Sequence, residues 1–281
     1  MRKVAMKNSG WDIGVCSWSL QAEINDVAAV MKNNDINHVH LAVGPALADD
    51  GKEYLAAVKQ QDWVVSSTMI AFEEEDYSSL DAIKVTGGVV PDDSWEKNKK
   101  IIADAAKITR ELGVQYLSFH AGFIDHTDTE KYQIMCDRIK TTADIAAGSG
   151  IMLLMETGQE SAADLAGFMK DINHPSVGIN FDPANMILYD KGEPIKAVKV
   201  LSPWIKHVHI KDANKTEIPG QWGAEVPWGD GQVGSDRFLA ALKEIGYEGS
   251  LAIEREAGNS RIDDITNAVG ILKRDMSRIK P

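Results

Sequence analysis

Short β-branched runs alternate along the chain with longer stretches in which apolar positions return every three or four residues. The runs at 12–18, 38–43, 64–70, 115–120, 152–156, 177–182, 205–211 and 250–254 read as strands. The stretches at 23–33, 52–61, 95–112, 129–148, 161–172, 194–200, 236–245 and 262–274 read as helices. Several of these helices stop at glycine, as at Gly113 and Gly246, where a left-handed residue can close the last turn. Strict alternation of eight strands with eight helices implies parallel βαβ units. The simplest closure is a single (β/α)8 barrel, an α/β fold, taken here as one domain over 1–281. An open doubly wound sheet would alternate in the same way, but no G-x-G-x-x-G phosphate fingerprint follows the first strand. Only 71–94 and 212–235 are long connections, and long loops in compact domains usually carry function.

Composition narrows the class. The chain has 281 residues, close to the ~250 a barrel of this kind needs. Lys and Arg number 30 against 42 Asp and Glu, a formal charge of −12, which repels phosphate backbones and argues against nucleic acid as a partner. No run approaches the ~18 apolar residues of a membrane span. The polar start, residues 1–10, has no apolar core of a secretory leader after it. Cys16 and Cys136 are too few and too distant for a disulfide framework. A cytoplasmic protein with reduced thiols is expected.

Barrel enzymes place their chemistry at the C-terminal ends of the strands. Five successive predicted strands end in an ionisable residue after an apolar stretch: His120, Glu156, Asp182, His209 and Glu254. Three carboxylates and an imidazole sharing one mouth repel one another, and burial sharpens the conflict. One divalent cation resolves it. The oxygen-rich set with one nitrogen suits Mn²⁺ first, with Mg²⁺, Co²⁺ and Zn²⁺ also compatible. His207 shares the parity of His209 one layer deeper and is expected to support it from behind. His38 and His40 read as core or loop residues. His120 is the best further pocket candidate. Trp222 and Trp228 in the long 212–235 connection either stack on a sugar or anchor the loop, and Trp18 at the end of the first strand stands in the same position. Lys211 and Lys215 could bind a carboxylate or phosphate. Gln159 and Glu160 either hold hydroxyls or cap the next helix.

With these residues in view, the chain resembles the xylose-isomerase-like barrels, the sugar-phosphate isomerase/epimerase superfamily. The resemblance runs from Gly14 to about Ile271. It is carried by residues 155–160 (METGQE), 180–185 (NFDPAN), 207–212 (HVHIKD), 229–233 (GDGQV) and 252–256 (AIERE). It implies that Glu156, Asp182, His209 and Glu254 are the metal ligands and that Glu156 and Glu254 are also the catalytic acid/base pair. It further implies a small carbohydrate as substrate, association into homo-oligomers, and proton transfer through an enediolate, as in a sugar isomerase or epimerase. Two positions depart from the ketose epimerases. Asn185 stands where they have a histidine, and Lys215 where they have an arginine. Both positions usually face substrate, so Asn185 joins the substrate-side candidates. The departures count against a ketose epimerase, while the His-Ile-Lys-Asp run at 209–212 and the Gly-Asp-Gly at 229–231 resemble the inosose-dehydratase branch, so a lyase acting on a keto-inositol or 3-keto-glycoside is the alternative expectation. A third is a catalytically inactive sugar-binding barrel.

Overall fold

The computed structural model describes residues 10–279. The outer ends of the expected 1–281 domain, and most of the start read above as leaderless, lie outside the described residues. Eight parallel strands close into a barrel: β1 (Ile13–Cys16), β2 (His38–Ala42), β3 (Val64–Ile70), β4 (Tyr116–Phe119), β5 (Met152–Glu156), β6 (Val177–Phe181), β7 (Ile205–Ile210) and β10 (Leu251–Ile253). β10 pairs with both β7 and β1, which completes the ring. The remaining two strands, β8 (Asp212–Asn214) and β9 (Ala224–Val226), form an antiparallel hairpin between β7 and the next helix. Helices α1 (Ile24–Asn33), α2 (Gly51–Lys59), α4 (Asp92–Glu111), α5 (Thr129–Gly148), α6 (Ala162–Ile172), α8 (Pro194–Leu201), α9 (Ser235–Glu244) and α10 (Arg261–Met276) follow the strands as the periodicity predicts. None is long and apolar enough to cross a membrane. The barrel expectation holds, and the open sheet is excluded.

Three elements escaped the sequence reading. Helix α3 (Leu80–Thr86) is a short helix inside the 71–94 connection, started by Ser79, whose hydroxyl accepts from the Ala82 N–H. Helix α7 (Pro183–Leu188) is buried at every residue, so it has no polar face and no periodic stripe to read. The strands of the β8–β9 hairpin are three residues each, too short to show alternation.

The β-strand ends are tied to the loops that surround them. Gly88 has φ +62°, and a Cβ there would lie 2.2 Å from the Ala121 backbone. Only glycine lets the 71–91 connection lie this close to the end of β4. The Asp212 carboxylate accepts from the backbone N–H groups of Ala213, Gly229, Gly231 and Val233, which fastens the 212–235 connection to β7. Two register shifts interrupt the barrel. Val39 pairs with Val65 but His40 with Ser67, leaving Ser66 as the extra residue. Likewise Ile179 pairs with Ile205 but Asn180 with His207. Such bulges re-aim the side chains beside them, and both fall immediately before residues that reach the site.

Candidate metal centre

Asp182 follows β6 and caps α7. Its Oδ1 accepts from the Ala184 and Asn185 N–H groups, with Pro183 preset in the first turn. That leaves Oδ2 directed into the barrel mouth. Glu156 ends β5, His209 lies in β7, and Glu254 follows β10 directly. The four side chains converge: one ligand atom from each lies within 4.8 Å of all the others, and all four residues are buried. His209 Nδ1 is 3.0 Å from Glu156 Oε1, 3.2 Å from Glu254 Oε2 and 3.6 Å from Asp182 Oδ2. Glu156 Oε2, Asp182 Oδ2 and His209 Nδ1 are buried atoms without a hydrogen-bond partner. Orphaned polar atoms are costly, and Asp182 Oδ2 and His209 Nδ1, 3.6 Å apart beside Glu156 Oε1 and Glu254 Oε2, form the arrangement a hard divalent cation would satisfy. The donor set therefore fits the expected ion.

The electrostatics are those of a site built for positive charge. Burial works against protonated His209, yet Cys16 first and then Glu254, Glu156 and Asp182 outweigh it and hold its pKa well above the usual histidine range. Asp182 is pushed up to about 6 by burial, with Lys211 opposing. Burial also disfavours the Glu254 carboxylate, but Lys211 and His209 more than compensate and keep it well below the ordinary range.

Of the substrate-side candidates, three touch the cluster. His120 Nε2 lies 3.3 Å from Glu156 Oε2. Asn185 Nδ2 lies 3.4 Å from Glu156 Oε1. Lys211 Nζ, itself buried, donates to Glu254 Oε2 at 3.0 Å and to Glu256 Oε2 at 2.6 Å. Gln159 lines a narrow recess with His120, Glu156, Glu160 and Tyr189. Trp222 reaches that wall through Tyr189, the two rings meeting edge-on at 4.7 Å. Trp228 is corrected to a core residue. It is buried with its ring against Phe238, which stacks on Phe181, and it anchors the loop. Lys215 is exposed and pairs with Asp190. His207 does not bond to His209; it acts through Asn180, which lies between the two rings.

Sequence reasoning gave no site role to His40, Asn180 or Glu75, and left Trp18 open between stacking and anchoring. His40 is no ordinary core residue: its Nδ1 lies 2.9 Å from His209 Nε2. Asn180 contacts the same nitrogen at 3.1 Å. Trp18 Nε1 donates to Glu254 Oε1 at 2.8 Å, a positioning contact rather than a free sugar-stacking face. Glu75, in the 71–94 connection, accepts from the Phe72 and Gly88 N–H groups and faces His120 electrostatically. The expectation that 71–94 is functional gave the only signal for Glu75.

Glu160 is buried and accepts from the Ile124 N–H, and burial raises its pKa from 4.5 to about 7. An acid whose folded pKa is raised binds more protons folded than unfolded, so stability falls as pH rises from 4.5 to 7. Glu160→Gln keeps an oxygen for Ile124 and removes the charge. It is expected to be more stable than the wild type at pH 8, by about 3 kcal/mol at most, and level with it near pH 4.5. Denaturant unfolding at the two pH values checks this.

A cavity of about 730 Å³ opens at the opposite end of the barrel, lined by His38, Val64, Ser66, Gln115, His207 and Ser250 among others. It holds no cluster of metal-ligating atoms among the described residues.

Comparison with known proteins agrees with this architecture. The family model of the xylose isomerase-like TIM barrels matches residues 46–280, and the chain belongs to that family. A xylose isomerase domain protein from Planctomyces limnophilus superimposes with a TM-score of 0.86 at 28% identity, over 96% of this chain and 98% of that one. Inosose dehydratase 1 of Bacillus cereus is 25% identical over 143 residues, 45% of this chain and 48% of that protein. Ketose 3-epimerase of Arthrobacter globiformis is 23% identical over 118 residues, 42% of this chain and 36% of that protein. The chain thus spans about half the length, or less, of these curated relatives.

Proposed function

We propose that the protein is a divalent-metal-dependent isomerase or epimerase of a sugar, keto-sugar or polyol. The observation that carries this reading is the convergence of Glu156, Asp182, His209 and Glu254 with three of their polar atoms unpartnered. These four residues would hold the ion, Mn²⁺ by preference, with Mg²⁺, Co²⁺ or Zn²⁺ as substitutes. When bound, the ion supplies positive charge that stabilises the oxygens of an enediolate. The likeness to proteins named ketose 3-epimerase and inosose dehydratase supports a carbohydrate substrate.

Glu156 and Glu254 are the acid/base pair in this reading, and they are not equivalent. Glu156 Oε2 has no hydrogen bond and serves as the base that removes a proton from the carbon beside a carbonyl. Glu254 has Oε1 held by Trp18 and Oε2 by Lys211, and it receives or returns the second proton. His120, Asn185, Lys211 and Gln159 hold and orient substrate oxygens. One observation favours a second reading. Lys211 is a buried ammonium, kept charged against its burial by Glu254, Glu256 and Asp182. Such a group can assist departure of a β-hydroxyl, which would make the protein a lyase of the dehydratase type.

A panel of keto-sugars and keto-inositols incubated with the Mn²⁺-loaded protein in D₂O tests both. Deuterium entering beside the carbonyl with flat near-ultraviolet absorbance is the expected result. Growing absorbance marks the enone or diketone product of a lyase. No exchange in any compound would leave a sugar-binding barrel and overturn the enzyme reading.

A further inference from the structure

We propose that His40 is a positioning residue that sets the tautomer of His209, so that the Nδ1 lone pair of His209 faces Glu156, Asp182 and Glu254. This rests on the metal reading above and goes beyond it, since His40 touches none of the three carboxylates through a hydrogen bond. A backbone carbonyl fixes the His40 tautomer. His40 Nε2 lies 3.1 Å from the Thr68 oxygen, which can only accept, so Nε2 carries the proton. His40 is completely buried, and its neutral ring then has a bare lone pair on Nδ1. His209 Nε2, 2.9 Å away, must donate to it. A neutral His209 protonated on Nε2 presents a bare Nδ1 to the carboxylates, as a metal-ligating imidazole requires.

A second chain of contacts reaches the same assignment from the other side. Ser66 donates to the Val39 carbonyl at 3.2 Å, so its oxygen accepts from His207 Nε2 at 3.0 Å. His207 Nδ1 is then a lone pair that needs a donor; the Asn180 amide lies between the two rings, with Oδ1 2.9 Å from His207 Nδ1 and Nδ2 3.1 Å from His209 Nε2. Oxygen and nitrogen of such an amide exchange places by a half rotation, and the turned amide gives His207 Nδ1 a donor and the His209 Nε2–H an acceptor. In that orientation Asn180 accepts from the same His209 Nε2–H that His40 requires. A register shift lies beside each of these two residues, after Val39 and after Ile179, and His40 and Asn180 flank His209 Nε2. Trp18 closes the assembly, with its ring edge-on to His40 at 5.0 Å and its N–H on Glu254.

Two substitutions separate this role from simple packing. In His40→Asn the side-chain oxygen falls near the place of Nδ1 and still accepts from His209. In His40→Gln the amide reaches Thr68 but leaves no acceptor at that place. Titration calorimetry with Mn²⁺ is expected to give wild-type affinity within about threefold for His40→Asn, and a loss of about 10–100-fold for His40→Gln. Chelator-treated samples of all three should unfold at similar denaturant concentrations. Equal affinities in the two variants, whether retained or lost, would overturn the proposal. Wild-type protein that takes up no Mn²⁺ would instead overturn the metal reading, and this proposal with it. A measurement on the wild type needs no variant. ¹⁵N-histidine spectra of the Zn²⁺-loaded protein should show protons on Nε2 of both His40 and His209, and a proton on His40 Nδ1 would refute the assignment.

Discussion

Glu156→Gln is expected to lower solvent-deuterium exchange into the substrate by about 10²–10⁴-fold at saturating Mn²⁺. The amide keeps an oxygen that can face the ion, so the metal affinity falls far less than the exchange rate. What disappears is the carboxylate oxygen of the acid/base pair that is buried and accepts no hydrogen bond, Oε2, with His120 Nε2 3.3 Å away. Glu254→Gln should lower exchange as well, but less, because Trp18 and Lys211 already occupy both of its oxygens and reduce its basicity. Mass spectrometry of the recovered sugar after timed incubation in D₂O ranks the two variants. Full exchange in Glu156→Gln would remove Glu156 from the base role, and a larger loss in Glu254→Gln would reverse the assignment within the pair.

Metal binding should also appear as stability, with opposite signs in one variant. A ligand at about 1,000 times its Kd adds about 4 kcal/mol to the folded state, or about 8 °C in the unfolding midpoint of a chain this size. Asp182→Asn should lose that gain. In the metal-free protein the same change should raise the midpoint at pH 8. Burial raises the Asp182 pKa from 3.8 to about 6, so its ionised form costs folding energy at every pH above that range. Asparagine keeps the oxygen that caps α7 at Ala184 and Asn185 and carries no charge. The expected gain is about 3 kcal/mol at most. Thermal melts at pH 8, with chelator and with Mn²⁺, check both signs. A variant less stable than the wild type in chelator would show that the carboxylates are not in conflict.

Glu156, Asp182, His209 and Glu254 were legible because each stands where an apolar strand gives way to an ionisable residue, and parallel barrels gather those ends at one mouth. His40 and Asn180 were not. They sit within strands whose inward residues otherwise build the core, and the register shifts beside them, after Val39 and Ile179, leave no mark on periodicity. Trp228 failed for the converse reason. A tryptophan in a long loop near the mouth looks like a sugar platform until Phe238 is seen against it. Helix α7 was hidden by complete burial: with no exposed face, its Asp182–Pro183 start was the only signal available.

The central claim is that the four strand-end side chains form one metal site. Elemental analysis of protein purified without chelator, beside a Glu156→Ala/His209→Ala double variant, tests it directly. About one equivalent of Mn, Mg, Co or Zn in the wild type and none in the variant is the predicted result. A wild type that holds no metal and takes none up on titration would contradict it.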